Sequence, residues 1–300
     1  MGKIASIDIG SNTLRLLIAE HSGKGLQDLV RDREIIRLGR NFYPNRLLSS
    51  PAMETALKVI KRFLNRAEKE GVTQIRAVGT GVLREAANSR FFLEKVREET
   101  GILIRIVSGI EEADLMARGV ISVFPEIRGK TLIFDIGGSS TELVFLRDRQ
   151  IEERFSLPLG VVGLTETFLR TDPPKSSESA SLIVYCRNII KKNSIKDVKI
   201  NNIIGTAGTV TTLAAIHGNL LDYDPNQINR TVLDKTYLWG LSKQILTLPL
   251  AKRSRLIGLE PGRADIINAG ILLVLEIMDN FSQKILLVSD AGLLEGIILD

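Results

Sequence analysis

Short apolar runs alternate along the chain with longer stretches of helical spacing. Residues 4–7 and 14–19 are apolar runs flanking Asp8-Ile9-Gly10-Ser11-Asn12, and they predict a hairpin with a polar turn. In residues 50–70, Met53, Leu57, Ile60, Leu64 and Ala67 recur every three or four positions, so a helix there packs one face on a sheet. Ser50 is expected to cap that helix, with Pro51 at its first position and Gly71 at its end. Strands follow at 75–78 and 103–107, with helices at 88–101 and 108–124. The second half predicts strands at 131–134 and 153–157, helices at 164–170 and 178–192, a strand at 203–204 and a helix from Thr209. A long apolar helix at 264–281, a strand at 285–288 and a short helix at 293–299 complete the pattern. Mixed strands and helices in two similar blocks predict an α/β chain of two domains, 1–125 and 126–300, with the last helix able to pack back on the first.

An internal repeat supports the division. Ile7-Asp8-Ile9-Gly10-Ser11-Asn12-Thr13-Leu14-Arg15-Leu16-Leu17 aligns without a gap on Phe134-Asp135-Ile136-Gly137-Gly138-Ser139-Ser140-Thr141-Glu142-Leu143-Val144. Each copy reads strand, acidic turn, strand, and two copies predict related domains facing each other across a cleft.

The chemistry gathers at those turns. Gly10-Ser11-Asn12 and Gly137-Gly138-Ser139-Ser140-Thr141 join glycine to small hydroxyl and amide residues, which lets backbone N–H groups approach an anion. Ordinary hairpin turns favour the same residues; two copies, each headed by an aspartate, weigh toward phosphate binding. Asp8 and Asp135 end apolar strands, where a carboxylate is costly to desolvate unless compensated. Mg²⁺ is one partner of the right chemistry, and a capped turn is the plainer one. Arg15 and Glu142 occupy equivalent positions seven residues beyond their aspartates, a cation suited to phosphate and an anion suited to a metal or a water. Ser108 and Glu111 fit a capping box, which leaves Glu112 one position further round the helix and free. Glu112 is then either a general base or, more plainly on these residues alone, a surface glutamate favoured by the helix dipole. Thr80-Gly81-Val82-Leu83-Arg84 and Gly205-Thr206-Ala207-Gly208-Thr209 follow strands and open helices, and each reads as an anion site or as an unliganded tight turn. Neither is a GxxxxGK[ST] or a GxGxxG pattern.

Composition narrows the field further. A 300-residue chain with 44% hydrophobic and 25% charged residues is globular and long enough for two cores. Net charge is +5, which suits anionic substrates, but the basic residues are scattered and aromatics few, so no nucleic-acid surface is expected. The lack of a long apolar stretch or a signal-peptide layout predicts neither a membrane partner nor export. Cys186 is the single cysteine, so no intrachain disulfide forms and a cytoplasmic location fits; two histidines offer no His-rich metal site.

Taken together, the segments IDIGSNTLRLLIA (7–19), GTGVLREA (79–86), SGIEEADLMARG (108–119), FDIGGSSTELV (134–144), GTAGTVTTLAA (205–215), PGRADIINAG (261–270) and VSDAGLLEGII (288–298) resemble the exopolyphosphatase/guanosine pentaphosphate phosphohydrolase family. That family belongs to the superfamily of acetate and sugar kinases, heat-shock chaperones and actin. The resemblance implies two actin-like (ribonuclease H-like) domains and release of the terminal phosphate of polyphosphate or guanosine pentaphosphate (pppGpp), with Mg²⁺ or another divalent cation. It makes Glu112 the water-activating base, gives a metal and water site to Asp135 and Glu142, and gives phosphates to Arg15 and Arg84. With the turns read above, Asp8 is expected to join the metal site, Glu142 to assist Glu112, and Ser11, Asn12, Gly138, Ser139, Ser140, Thr141, Gly208 and Thr209 to bind phosphates. The family carries a third glycine where this chain has Ser139, whose Cβ alters the fit of that loop. Many members carry a further C-terminal helical region, so the chain reads as the short form, for which the resemblance allows a homodimer. A superfamily kinase and a non-hydrolysing sensor are the rival readings.

Overall fold

The repeated hairpin seeds both sheets of the computed structural model, which describes residues 2–22, 25–42, 45–193 and 199–300. The chain divides into two units, Met1–Pro125 with Ala291–Asp300, and Glu126–Asp290. The last ten residues therefore count with the first unit.

In unit 1, β1 (Lys3–Ile9), β2 (Thr13–Ser22) and β3 (Gly25–Ile35) form an antiparallel meander. The chain then passes through α1 (Ser50–Lys69), β4 (Gln74–Gly79), α2 (Val82–Glu85), α3 (Ser89–Thr100), β5 (Ile104–Ile106) and α4 (Gly109–Val123). β4 lies parallel to β1, and β5 parallel to β4, which gives the order β3-β2-β1-β4-β5. β3 escapes the pattern because Asp28, Arg31, Asp32, Arg33 and Glu34 interrupt any alternation. Such charges suit an edge strand, where they block pairing with another chain.

Unit 2 repeats the plan. β6 (Lys130–Ile136), β7 (Thr141–Arg147) and β8 (Gln150–Leu157) form the meander, followed by α5 (Val161–Phe168), α6 (Ser176–Lys192), β9 (Asn202–Thr206) and α7 (Ala207–His217). Next come α8 (Pro225–Ile228), β10 (Val232–Asp234), α9 (Lys235–Thr247), α10 (Leu250–Arg253) and α11 (Ile267–Asn280), then β11 (Ile285–Val288). The sheet order is β10-β11-β9-β6-β7-β8. Each unit thus has one mixed sheet flanked by helices, as the actin-like resemblance implies. The apolar pattern assigned no element to residues 225–253; α9 there is capped by Asp234, whose carboxylate accepts from the Thr236 N–H at 2.7 Å. The long apolar helix is shorter than expected, because residues 264–266 form a turn that joins the 3₁₀ turn Pro261–Arg263 to α11.

The cap of α1 is Ser49, not Ser50: Ser49 Oγ accepts from the Ala52 N–H. Its buried face is Met53, Ala56, Leu57, Ile60, Phe63 and Ala67, with Phe63 fully buried where the spacing had favoured Leu64. Each large apolar side chain buried this way contributes about 1.5–3 kcal/mol. No described helix is long and apolar enough to cross a membrane.

The last helix, α12 (Leu293–Leu299), returns to unit 1 and packs on α4 with backbone almost in contact. A Cβ on Gly296 would stand 1.8 Å from the Leu115 carbonyl oxygen, and one on Gly119 equally close to that of Gly292. Arg76 seals the helix end by donating to the carbonyls of Ile297 and Ile298, both at 2.9 Å. Within the same helix Glu295 is buried; it accepts from the Gly292 N–H at 2.6 Å and pairs with Arg31. Burial pushes its carboxyl above the usual carboxylate range, against the opposing pull of Arg31 and the backbone N–H.

Two stability tests follow from this packing. Gly296→Ala should destabilise unit 1 by about 1–3 kcal/mol through overpacking, read as an earlier denaturant midpoint. Gly240→Ala, on an exposed face of α9 where a Cβ meets nothing, should stabilise by up to about 1 kcal/mol. For Glu295, a folded value raised above the unfolded one gives stability that is full below about pH 4 and is lost as pH rises through the folded value. The stability of Glu295→Gln relative to the parent should therefore improve as pH is raised from about 4 to 7, measured by denaturation at each pH.

Candidate functional site

In unit 1 the site begins at the end of β1. Register places Asp8 opposite Arg15. Arg15 donates to Asp8 Oδ2 from Nε at 2.9 Å and from Nη2 at 2.7 Å. Asp8 is buried, and its other oxygen, Oδ1, has no hydrogen-bond partner among the described residues. Arginine, rather than a metal alone, thus compensates part of the desolvation that the sequence had left open. The turn is closed by a hydrogen bond from the Gly10 N–H to the Thr13 carbonyl. Ser11 Oγ accepts from the Val82 N–H at 3.0 Å, which ties the turn to the start of α2. Asn12 is buried beside Thr13.

Arg84 and Glu112, 28 positions apart, come together. Arg84 Nη1 donates to Glu112 Oε2 and to the Val107 carbonyl, both at 3.0 Å. Glu112 is therefore not free, as the capping argument had it; it is largely buried and held by a guanidinium. Ser108 does cap α4, its Oγ accepting from the Glu111 N–H at 3.2 Å, while the Glu111 carboxylate pairs with Arg105.

In unit 2 the equivalent register sets Asp135 opposite Glu142. Directly opposed residues share a face of the sheet, so two carboxylates stand where unit 1 has a carboxylate and a guanidinium. Both are buried. Glu142 Oε1 accepts from Ser156 Oγ at 2.8 Å, across β7 and β8. The turn between them is closed by the Gly137 N–H on the Ser140 carbonyl at 2.9 Å, and Thr141 Oγ1 donates to the Leu159 carbonyl. The carbonyls of Gly137 and Gly138 accept from the Val161 and Val162 N–H groups, which fixes the turn to α5. Ser139 and Ser140 are buried in it.

The second anion loop of unit 2 opens α7. Ala207 holds a left-handed φ of 64°, a strain of order 1–2 kcal/mol for a residue with a Cβ. Gly208 follows, and the Arg263 guanidinium packs over it where a Cβ would stand, 2.2 Å from Nη1. Thr209 is buried against Gly270 of α11. Arg263 escaped the reading of the sequence, as did Ser156. The signal for Arg263 lay in PGRADIINAG, a quoted segment whose arginine has no neighbour in sequence to mark its role. Arg263 is buried and braced by Glu260, its Nε donating at 3.2 Å. The buried Arg253 donates to the next residue's carbonyl, Ala264 O, at 2.6 Å.

No group of three or more His, Cys, Asp or Glu side chains converges among the described residues. That leaves Mg²⁺ chemistry of the common kind, in which one or two carboxylates and substrate phosphates share the ion with waters. Within unit 2 the opposed Asp135 and Glu142 fit such an ion, and within unit 1 the orphaned Asp8 Oδ1 offers one carboxylate oxygen.

These placements yield a stability prediction. Arg15→Met strands the Asp8 carboxylate and should cost about 1–3 kcal/mol. Adding Asp8→Asn should recover much of that loss, because no buried charge is left; a double-mutant cycle by chemical denaturation measures the coupling.

The model of the Ppx/GppA phosphatase family matches residues 17–300. The chain is 33% identical over 313 residues to the bifunctional 3-dehydroquinate synthase/phosphatase of Fusobacterium nucleatum, covering 99% of this chain and 46% of that protein. It is 27% identical over 314 residues to exopolyphosphatase 2 of Mycobacterium tuberculosis, covering 99% and 98%. It is 27% identical over 298 residues to the guanosine-5'-triphosphate,3'-diphosphate pyrophosphatase of Vibrio parahaemolyticus, covering 99% and 58%. The chain thus spans about half the length of two of these relatives and nearly all of the third. Among solved structures, the Aquifex aeolicus PPX-GPPA enzyme superposes with a TM-score of 0.86 at 32% identity, covering 99% of both chains.

Proposed function

Because the chain belongs to the Ppx/GppA phosphatase family, we propose that it is a phosphohydrolase removing the terminal phosphate of inorganic polyphosphate, of pppGpp, or of both, in the cytoplasm. The observation that carries the reading is the Arg84–Glu112 pair at the head of α4, a carboxylate oriented by a guanidinium beside an anion-binding turn.

In this reading Glu112 accepts the proton of the attacking water, and Arg84 fixes its orientation. Glu142, itself oriented by Ser156, is the second acid of this reading. Backbone N–H groups and hydroxyls of Ser11, Asn12 and Gly138–Thr141, with Gly208 and Thr209, bind phosphate oxygens. Arg263 adds a guanidinium at the Gly208 loop, and Arg15 one at the Ser11 turn. The opposed Asp135 and Glu142 would hold Mg²⁺ in unit 2, and Asp8 Oδ1 is the carboxylate oxygen that unit 1 offers to an ion; the ion supplies neutralisation of phosphate charge and polarisation of the bond that breaks. Phosphoryl transfer runs through a loose transition state, so positioning and electrostatics carry most of the acceleration.

The membership of a phosphatase family favours water over an alcohol as the acceptor; a carboxylate base at α4 could serve either, and a superfamily kinase would need an acceptor pocket in addition. The assay is phosphate release by the purified protein from long-chain polyphosphate, pppGpp and ATP. Release from either of the first two, but not from ATP, is expected, together with loss in EDTA and recovery on adding Mg²⁺. Glu112→Gln keeps the Arg84 hydrogen bond and should lower turnover by on the order of 10²–10⁴ with substrate binding retained. A variant with parental turnover removes Glu112 from the role.

A further inference from the structure

Arg253 ends α10 and is buried in unit 2, its side chain 4% exposed. All three of its guanidinium nitrogens are engaged. Nε donates to the Ala264 carbonyl at 2.6 Å and Nη1 to the Leu248 carbonyl at 2.7 Å. Nη2 donates to Asp172 Oδ1 at 3.4 Å, the one carboxylate within ion-pair distance of it among the described residues. Asp172, in the loop between α5 and α6, is itself fixed, its Oδ2 accepting from the Leu250 N–H at 2.7 Å. A buried guanidinium costs desolvation, and an apolar side chain of the same volume is often no less stable. What the charged group adds is geometry, because its planar fork sets several acceptors in fixed directions at once.

The acceptor that matters is Ala264. It lies in the turn that joins the 3₁₀ segment to α11, outside both, and Arg263 is the residue before it. Arg263 has its own brace in Glu260: its N–H donates to the Glu260 carbonyl at 2.8 Å and its Nε to the carboxylate at 3.2 Å. Its guanidinium lies over Gly208 at the start of α7. Consecutive Cα atoms are about 3.8 Å apart across a trans peptide, so a shift of the Ala264 carbonyl carries the Arg263 backbone with it. We infer that Arg253, held by Asp172, is a positioning residue: it fixes the turn from which Arg263 reaches the anion at the Gly208 loop. Arg253 touches no substrate in this role and acts only through Arg263. The inference rests on the phosphohydrolase reading for that anion, while the coupling of Arg253 to Arg263 is a separate quantity.

A double-mutant cycle tests this, with phosphate release from tripolyphosphate as the readout. Arg253→Lys keeps the charge and loses the fork. It should lower kcat/KM by about ten- to hundredfold, the scale on which displacing a positioned group by an ångström acts. In an Arg263→Met background the same change should lower kcat/KM by less than about twofold, since nothing is left to position. Denaturant midpoints read in parallel separate stability from positioning: the stability loss of Arg253→Lys should be the same in both backgrounds. Asp172→Asn removes the ion pair but leaves Arg253 its bonds to Leu248 and Ala264, and is the milder variant should Arg253→Lys fail to fold. Its loss of kcat/KM, roughly threefold or more, should likewise vanish without Arg263. Equal losses with and without Arg263 overturn the positioning role, and so does parental kcat/KM in both variants. A parent that binds tripolyphosphate but releases no phosphate sinks the hydrolase reading instead. The cycle is then run on tripolyphosphate affinity, measured by titration calorimetry, and the same two outcomes decide it. A parent that binds no tripolyphosphate overturns both readings.

Discussion

A carboxylate at the inner end of an apolar strand must be compensated, and antiparallel register decides by what. Asp8 and Asp135 sit at the same point of two equivalent hairpins, each facing a residue seven positions on. Because opposed residues in a meander share a face, the compensating group is chosen by one sequence position. In unit 1 that position is Arg15, and a two-pronged ion pair results. In unit 2 it is Glu142, and two carboxylates are left side by side under the same sheet geometry. The turns, helix starts and neighbouring loops are arranged around these two points.

The difference between the units gives them different chemistry on one scaffold. A paired aspartate with one oxygen left over makes a rigid corner from which the Ser11 turn and α2 are hung. An opposed acidic pair attracts a cation, and Ser156 holds one member in place. The same logic recurs one level out. Arg84 orients Glu112, Glu260 braces Arg263, and Arg253 secures the backbone that carries Arg263. The charged groups that the proposed function assigns to the substrate are each held by another charged or polar group, which fixes their orientation.

Much of this was legible in the chain. Apolar periodicity marked the central strands and much of the packing face of α1, and the repeat marked both hairpins and the equivalence of Arg15 and Glu142 within them. Edge strand β3 was invisible because its side chains are charged and half exposed, so no alternation is required of it. α9 lay in a stretch with weak contrast between its faces. Glu112 was read as unengaged because a capping argument uses only residues within one turn, whereas Arg84 arrives from another helix. Arg263 was missed for the same reason: its neighbour Gly208 is distant in sequence, and only their packing shows that the guanidinium lies over that glycine.

The sequence by itself determined what depends on local spacing: strand against helix, the phosphate-type turns, the duplicated hairpin and thereby which residue opposes each aspartate. Register within a hairpin follows from counting along a two-residue period, so no distant part of the chain is needed. Tertiary structure alone decided which charges meet across elements, namely Arg84 with Glu112, Arg31 with Glu295 and Arg263 with the Gly208 loop. It also decided that the last helix joins the first unit, through glycines on α4 and α12 that let two backbones touch. Those outcomes hinge on the packing of elements far apart in the chain, where a shift of one ångström makes or breaks a hydrogen bond, and no local pattern encodes such a distance.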